Sequence, residues 1–174
     1  MTHLDIFVNS YIAQVRGPFL TETMYLLSAF FDVSVLSVLL TALVTILIKI
    51  IRGKKYAGLF LISICASATL SYVLKIFFNV ARPTGGVMLA FGPSFPSYHA
   101  TVSAVFFIMI IFIFDDFLPH IWRILLNIFC IFCIFLVAFS RIYLGVHWLS
   151  DVSAGILLGA VISLVAIWIF RKVK

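Results

Sequence analysis

Twelve residues near the end of the chain, Ser140 to Asp151 (SRIYLGVHWLSD), concentrate an Arg, a His and an Asp between long apolar runs. Ionisable groups in such a setting are costly and mark a functional site by default. If a helix begins near His147, Asp151 lies one turn on and on the same face. Its carboxylate can then accept the Nδ1–H of His147, which fixes the tautomer and leaves the Nε2 lone pair free to act as base or nucleophile. Arg141 adds a planar fork of N–H donors suited to phosphate or carboxylate.

A second polar stretch runs from Lys75 to His99. Lys75 stands near the end of an apolar run, and Arg82-Pro83 follows seven residues on. Pro83 stops a helix and biases the residues before it towards an extended path, so the two cations can approach one point from different directions. Gly85, Gly86, Gly92, Pro93 and Pro96 make the remainder an irregular loop. Pro96-Ser97-Tyr98-His99 then opens the next apolar run, with Ser97 a natural N-cap and the helix N-terminus behind it a ready anion site. Singly, these residues have plain explanations: Lys75 snorkels to headgroups, Ser97 caps, His99 is an interfacial polar group, and His147 with Asp151 is a helix pair. Together, three cations, free N–H groups, two His and one Asp, without a carboxylate cluster for a metal, describe a site for a phosphate-sized dianion. Two imidazoles supply one group to attack phosphorus and another to protonate the leaving oxygen.

The elements that must position these residues are membrane helices. Of 174 residues, 64% are hydrophobic and 10% charged, with a mean hydropathy of +1.26; a soluble domain carries about 25% charged residues. The chain is therefore expected to be an all-α polytopic membrane bundle in one domain, residues 1–174, with no cleaved secretory signal. Its net charge of +6 lies largely in short clusters beside apolar runs, which reads as topology and not as nucleic-acid binding. Leu4, Phe7, Val8, Tyr11, Ile12 and Val15 form a helical stripe too short and too polar to span. Gly17-Pro18 breaks it and a second amphipathic run follows, so residues 1–32 predict interfacial helices and 33–174 a transmembrane catalytic bundle.

Five spans are predicted, roughly Val33 to Ile51, Tyr56 to Phe78, Ala100 to Phe114, Ile124 to Phe139 and Val152 to Phe170. The third and fourth reach spanning length only by extending into the polar stretch beside them. A sixth span over residues 4 to 31 is the alternative. Lys49, Arg52, Lys54 and Lys55, and at the other end Arg171, Lys172 and Lys174, are cytoplasmic by the positive-inside rule. Both polar stretches then face the extracytoplasmic side, and the connection from Asp115-Asp116 to Arg123 faces inside. Cys65, Cys130 and Cys133 read as buried packing residues. Gly155 with Gly159, and Ser63 with Ser67 and Ser71, suit close helix packing, within or between chains.

With these residues in view, the chain resembles the type 2 phosphatidic acid phosphatase superfamily of membrane lipid phosphatases. That family carries K-x6-R-P, P-S-G-H and S-R-x5-H-x3-D in order. Here the stretches read KIFFNVARP from Lys75 to Pro83, PSYH from Pro96 to His99, and SRIYLGVHWLSD from Ser140 to Asp151. The one departure is Tyr98 in place of Gly. A tyrosine there keeps the backbone N–H but is strained if the position needs a positive φ.

The resemblance implies that His147 is a nucleophile forming a phosphohistidine, that Asp151 orients it, and that His99 is the general acid. Lys75, Arg82, Ser97, Tyr98 (through its backbone N–H) and Arg141 are then the phosphate-binding set. It implies no metal and no cofactor, and a partner list of a membrane lipid phosphate and the bilayer, without nucleic acid. The candidate lipids are undecaprenyl diphosphate, phosphatidylglycerol phosphate, phosphatidic acid and lipid A 1-phosphate, met at the periplasmic face of a bacterial cytoplasmic membrane. A lipid-to-lipid phosphotransferase and a non-catalytic lipid-phosphate binding or transport protein are the alternatives. Oligomeric state is not legible.

Overall fold

The computed structural model describes residues 2–32 and 34–173, and these described residues form seven helices. Val33, where the first span was expected to open, and Lys174 of the terminal basic cluster lie outside the described residues. Two 12-residue helices come first, α1 (His3–Gln14) and α2 (Pro18–Ala29). Thr2 caps α1 reciprocally with Asp5, and Gly17 followed by Pro18 separates the two helices, as proline at a first helical position allows. At 1.5 Å per residue each is about 18 Å long, short of a bilayer core.

Five longer helices follow: α3 (Val35–Arg52), α4 (Lys54–Phe78), α5 (Tyr98–Phe114), α6 (His120–Tyr143) and α7 (Leu149–Val173). Four of them, α3, α4, α6 and α7, are long and apolar enough to cross a membrane, and α5 is a shorter apolar helix of 17 residues. The sequence pattern anticipated where α3, α4 and α7 lie. The fourth span extends into the polar stretch beside it, as its length required: α6 continues through Ser140 and Arg141 to Tyr143, so four residues of the expected Ser140–Asp151 connection are helical and buried. The helix carrying Asp151 opens at Leu149, slightly later than expected.

The packing inverts the usual soluble arrangement. Leu39, Ile62, Phe129, Phe132 and Leu164 are among many large apolar side chains that face outward, where lipid is the solvent. The short α5 is the central post, most of its residues buried and packed against α4, α6 and α7. Gly155 and Gly159 make the closest approach possible. A Cβ on Gly155 would stand 2.8 Å from the Ser97 carbonyl oxygen, and one on Gly159 would stand 2.7 Å from Ala104 Cβ. The glycine pair thus serves packing within the chain, seating α7 on α5. Gly53, at φ +93°, is the single residue between α3 and α4 and turns the chain back on itself; such a φ favours glycine.

The alternation of helix directions gives the bundle two chemically distinct ends. One carries Arg52 paired with Asp116, Arg171 over the Phe112 ring and Lys172 over Trp168. The other gathers the end of α4, the start of α5, the end of α6 and the start of α7. There α1 is fastened by Asp5, whose Oδ1 accepts the Ser150 N–H at 2.9 Å. Arg16 adds a second fastening by donating to the carbonyls of Tyr143 and Gly85, both at 2.8 Å.

Candidate active site

All eight residues singled out by the sequence lie at this second end. His147 sits in the short connection between α6 and α7, 2% exposed. Its Nδ1 is 3.4 Å from Asp151 Oδ2, and the same oxygen accepts the Trp148 backbone N–H at 2.8 Å. On the other side of the ring, Nε2 is 3.4 Å from Arg82 Nη1. A guanidinium can only donate, so Nε2 must carry the lone pair and Nδ1 the proton that Asp151 accepts. Two neighbours therefore assign one tautomer, with the lone pair aimed at a cation. Burial, reinforced by the charges of Arg141, Lys75 and Arg82 and by His99, holds the imidazole well below its ordinary value of 6.5. His147 is neutral at neutral pH, the form that can attack.

Lys75 and Arg82 shape the loop before they meet any ligand. Lys75 Nζ, near the C-terminus of α4, donates to the carbonyls of Pro93 at 2.8 Å and Ser94 at 3.1 Å. Arg82 Nε donates to Gly92, Nη2 to Phe91 and Pro93, and Nη1 to Val146 at 2.7 Å. Counting the His147 contact, its five N–H groups all have acceptors. The long irregular loop from 79 to 97 is thereby wrapped round two cations that carry its carbonyls.

The P-S-Y-H stretch is tied to the helix carrying Asp151. The Ser97 N–H donates to the Asp151 carbonyl at 3.0 Å, directly above the place where Gly155 lets the two helices touch. Ser97 occupies the N-cap position of α5 but makes no side-chain cap, contrary to expectation. Its Oγ is buried without a hydrogen-bond partner, and so are His99 Nε2 and Arg141 Nε. An unpaired buried polar atom costs about 1–3 kcal/mol, and such atoms gather where a ligand is to be received. These three come from α5, its cap and α6. Arg141 itself is 2% exposed, donates to Ser28 Oγ on α2 and lies 3.8 Å from Met88 Sδ.

At this end the chain brings together an oriented imidazole, a second imidazole, three cations and unpaired buried polar atoms. Comparison with known proteins bears on which family built this arrangement. The model of the PAP2 superfamily matches residues 56–174. The chain belongs to the PAP2 superfamily. This PAP2 protein is accordingly a phosphoric ester hydrolase, a lipid phosphatase. Among solved structures, the fold is similar to a transmembrane PAP2-type phosphatidylglycerolphosphate phosphatase from Bacillus subtilis, with a TM-score of 0.89 at 25% identity over 98% of this chain and 86% of that one. It is also similar in fold to Aquifex aeolicus LpxE, with a TM-score of 0.76 at 23% identity over 95% and 96% of the two chains. No curated protein matches closely enough to add to this.

Tyr98, the departure from the PAP2 pattern, has no strained backbone. It is the first residue of α5, and among the described residues Asn79 is the non-glycine with positive φ. Its ring stands edge-on to His99, centroids 5.9 Å apart, and lines a cavity of about 470 Å³ together with Asp32, Phe31, Leu61, Ile64 and Val102. Four residues at this end of the PAP2 bundle escaped the sequence reading. Ser28 accepts from Arg141, Asp32 Oδ1 lies 3.6 Å from His99 Nε2, Asp5 holds Ser150, and Arg16 holds the end of α6. All four precede residue 56, where the family match begins, and none sits in a motif. The only hint available was that Asp5 and Asp32 are acidic residues in strongly apolar surroundings.

Proposed function

We propose that the chain is a metal-independent membrane lipid phosphatase that works through a phosphohistidine on His147. The observation that carries this reading is the double restraint on that ring, Asp151 at Nδ1 and Arg82 at Nε2, which leaves a neutral, correctly oriented nucleophile beside a cation.

In this mechanism the substrate phosphate enters among Lys75, Arg82, Arg141, Ser97 Oγ and the backbone N–H groups at the start of α5, including that of Tyr98. A phosphate oxygen replaces His147 Nε2 as an acceptor for Arg82 Nη1, which frees the lone pair at the moment it is needed. Nε2 attacks phosphorus, the bond to the leaving oxygen breaks, and His99 protonates that oxygen. Asp151 stabilises the imidazolium character that develops on His147. His99 then takes a proton from water, which attacks the phosphohistidine and returns the free enzyme. Each preorganised donor of this kind contributes about 10²–10³ in rate.

The groove lined by Phe31, Leu61, Ile64, Val102 and Phe106 opens between α3, α4 and α5 towards lipid and ends at Asp32 and Tyr98. It suits an acyl or prenyl tail whose phosphate rests among the cations, so the substrate slides in laterally. The basic end of the bundle is cytoplasmic by the positive-inside rule, which puts the catalytic end, with α1 and α2 lying along the interface, on the extracytoplasmic face. Phosphatidylglycerol phosphate is the first substrate class to assay, since the Bacillus subtilis phosphatase shares both the fold and the near-complete span of the chain.

The test is a phosphate-release panel over phosphatidylglycerol phosphate, undecaprenyl diphosphate, phosphatidic acid and lipid A 1-phosphate, with His147→Ala as the blank. Release from at least one lipid by the wild type and none by a folded His147→Ala protein is the expected result. Full activity in that variant removes the mechanism.

A further inference from the structure

We infer that Asp32 is a positioning residue that keeps His99 in its proton-bearing form, an inference that rests on the reading of His99 as general acid. Asp32 lies in the turn between α2 and α3, outside the matched family region. The fold nevertheless brings its Oδ1 to 3.6 Å from His99 Nε2. A general acid must hold a proton until the leaving oxygen demands it. Burial, and then the positive charges of Arg141, Lys75 and Arg82, oppose an imidazolium at His99. His147 faces the same cluster, and Tyr98 stands edge-on to the ring. Asp151 is engaged by His147 and the Trp148 N–H. Asp32 therefore supplies the negative charge that balances the protonated ring.

Exposure supports the same role. The His99 side chain is 8% exposed and that of Asp32 44%, so Asp32 touches the buried ring and also meets solvent. The same segment is anchored four residues earlier, where Ser28 accepts from Arg141, so one stretch of chain holds a cation and the acid together.

The bonds balance without Asp32 forming any. The His147 Nε2 lone pair makes the P–N bond, the P–O bond breaks with its electron pair left on oxygen, and the His99 proton neutralises that oxygen. Asp32 keeps the imidazolium populated until then and stabilises it again when water delivers its proton in the second half-reaction.

Asp32→Asn removes the charge and keeps the shape. It should be compared on a lipid phosphate, whose alkoxide leaving group needs protonation, and on p-nitrophenyl phosphate, whose phenolate needs little. The expected result is a kcat/KM loss of about 10–100-fold for the lipid and less than about threefold for p-nitrophenyl phosphate, with recovery in Asp32→Glu. Equal losses on both substrates, or no loss on the lipid, overturn the inference. His99→Ala is measured beside it. A leaving-group bias in His99→Ala but not in Asp32→Asn overturns the inference alone; no bias in either takes down the general-acid reading with it.

Discussion

Gly155 should be the residue outside the pocket on which catalysis depends most steeply. In Gly155→Ala the new Cβ would stand 2.8 Å from the Ser97 carbonyl oxygen, 3.0 Å from Ala100 Cβ and 3.2 Å from Thr101 Oγ1. Ordinary contact begins at 3.4 Å, so the Ser97 carbonyl must retreat by about 0.6 Å. That carbonyl accepts from Thr101 N and Thr101 Oγ1, both at 3.0 Å, and the Ser97 N–H is bonded to the Asp151 carbonyl. The start of α5, with Ser97 and His99, is therefore pushed away from His147 and Asp151. A misplacement on the 1 Å scale costs about 10²-fold, so half of that distance should lower kcat/KM about 10–30-fold.

Gly159→Ala is the control. Its Cβ would meet Ala104 Cβ and the Thr101 carbonyl, each at 2.7 Å, the same overpacking one turn deeper and about 6 Å further from the pocket. Both variants should lose about 1–3 kcal/mol of stability. Phosphate release in detergent, paired with thermal unfolding, separates the two effects. Equal kcat/KM losses in both variants, or an unchanged kcat/KM in Gly155→Ala, would refute the claim that this contact sets the register of the catalytic groups.

Further expectations concern groups around the site. Asp151→Asn removes the charge that selects the Nδ1–H tautomer and should lower kcat by about 10²–10⁴-fold with KM little changed; a loss confined to KM would argue that Asp151 serves binding. Because burial and neighbouring cations keep His147 well below 6.5, it stays neutral as pH falls through 6.5, and the acid limb of kcat/KM should lie below that value. Arg82→Gln removes one of the charges pressing it down, so the limb should move to higher pH on the same substrate; a move to lower pH contradicts the assignment. Asp5→Ala orphans the part-buried Ser150 N–H and should cost about 1–3 kcal/mol of stability, read by thermal unfolding. Burial pushes the Asp5 carboxyl up, but the hydrogen bonds from Thr2 and Ser150 outweigh it and leave it below its ordinary value of 3.8. Its contribution is present above pH 3.8 and fades as pH falls through the lowered value, so wild type and Asp5→Ala should converge in acid.

The motifs were legible because each is local. His147 and Asp151 are four residues apart, and the turn into α7 brings the Asp151 carboxylate to the Nδ1 side of the His147 ring. Arg82 and Lys75 could be named as cations of one site, but their work on the loop carbonyls could not, since carbonyl acceptors leave no mark in the sequence. Ser97 looked like a cap by residue type, yet its Oγ makes none; only the packed start of α5 against α7 reveals that it is held back. The contacts of α1 and α2 were invisible for a different reason. Arg141 and Ser28 are 113 residues apart and Ser150 and Asp5 are 145 apart, pairings that no spacing rule encodes. The late end of α6 was legible only as a length requirement, since Ser140 and Arg141 look like a loop by residue type and only their burial shows them helical. The glycine pair illustrates the opposite case: its spacing foretold a close helix contact, and the structure supplied the partner, α5.

The central claim is a covalent bond between phosphorus and His147, and it is most directly tested by rapid acid-free quenching of the working enzyme followed by mass spectrometry of the peptide containing Ser140 to Asp151. The account predicts a phosphorylated His147 that forms within one turnover, survives alkali and is lost in acid, with accumulation increased when the second half-reaction is slowed. Phosphate found on another residue, or turnover with no phosphoenzyme at any time point, would contradict it.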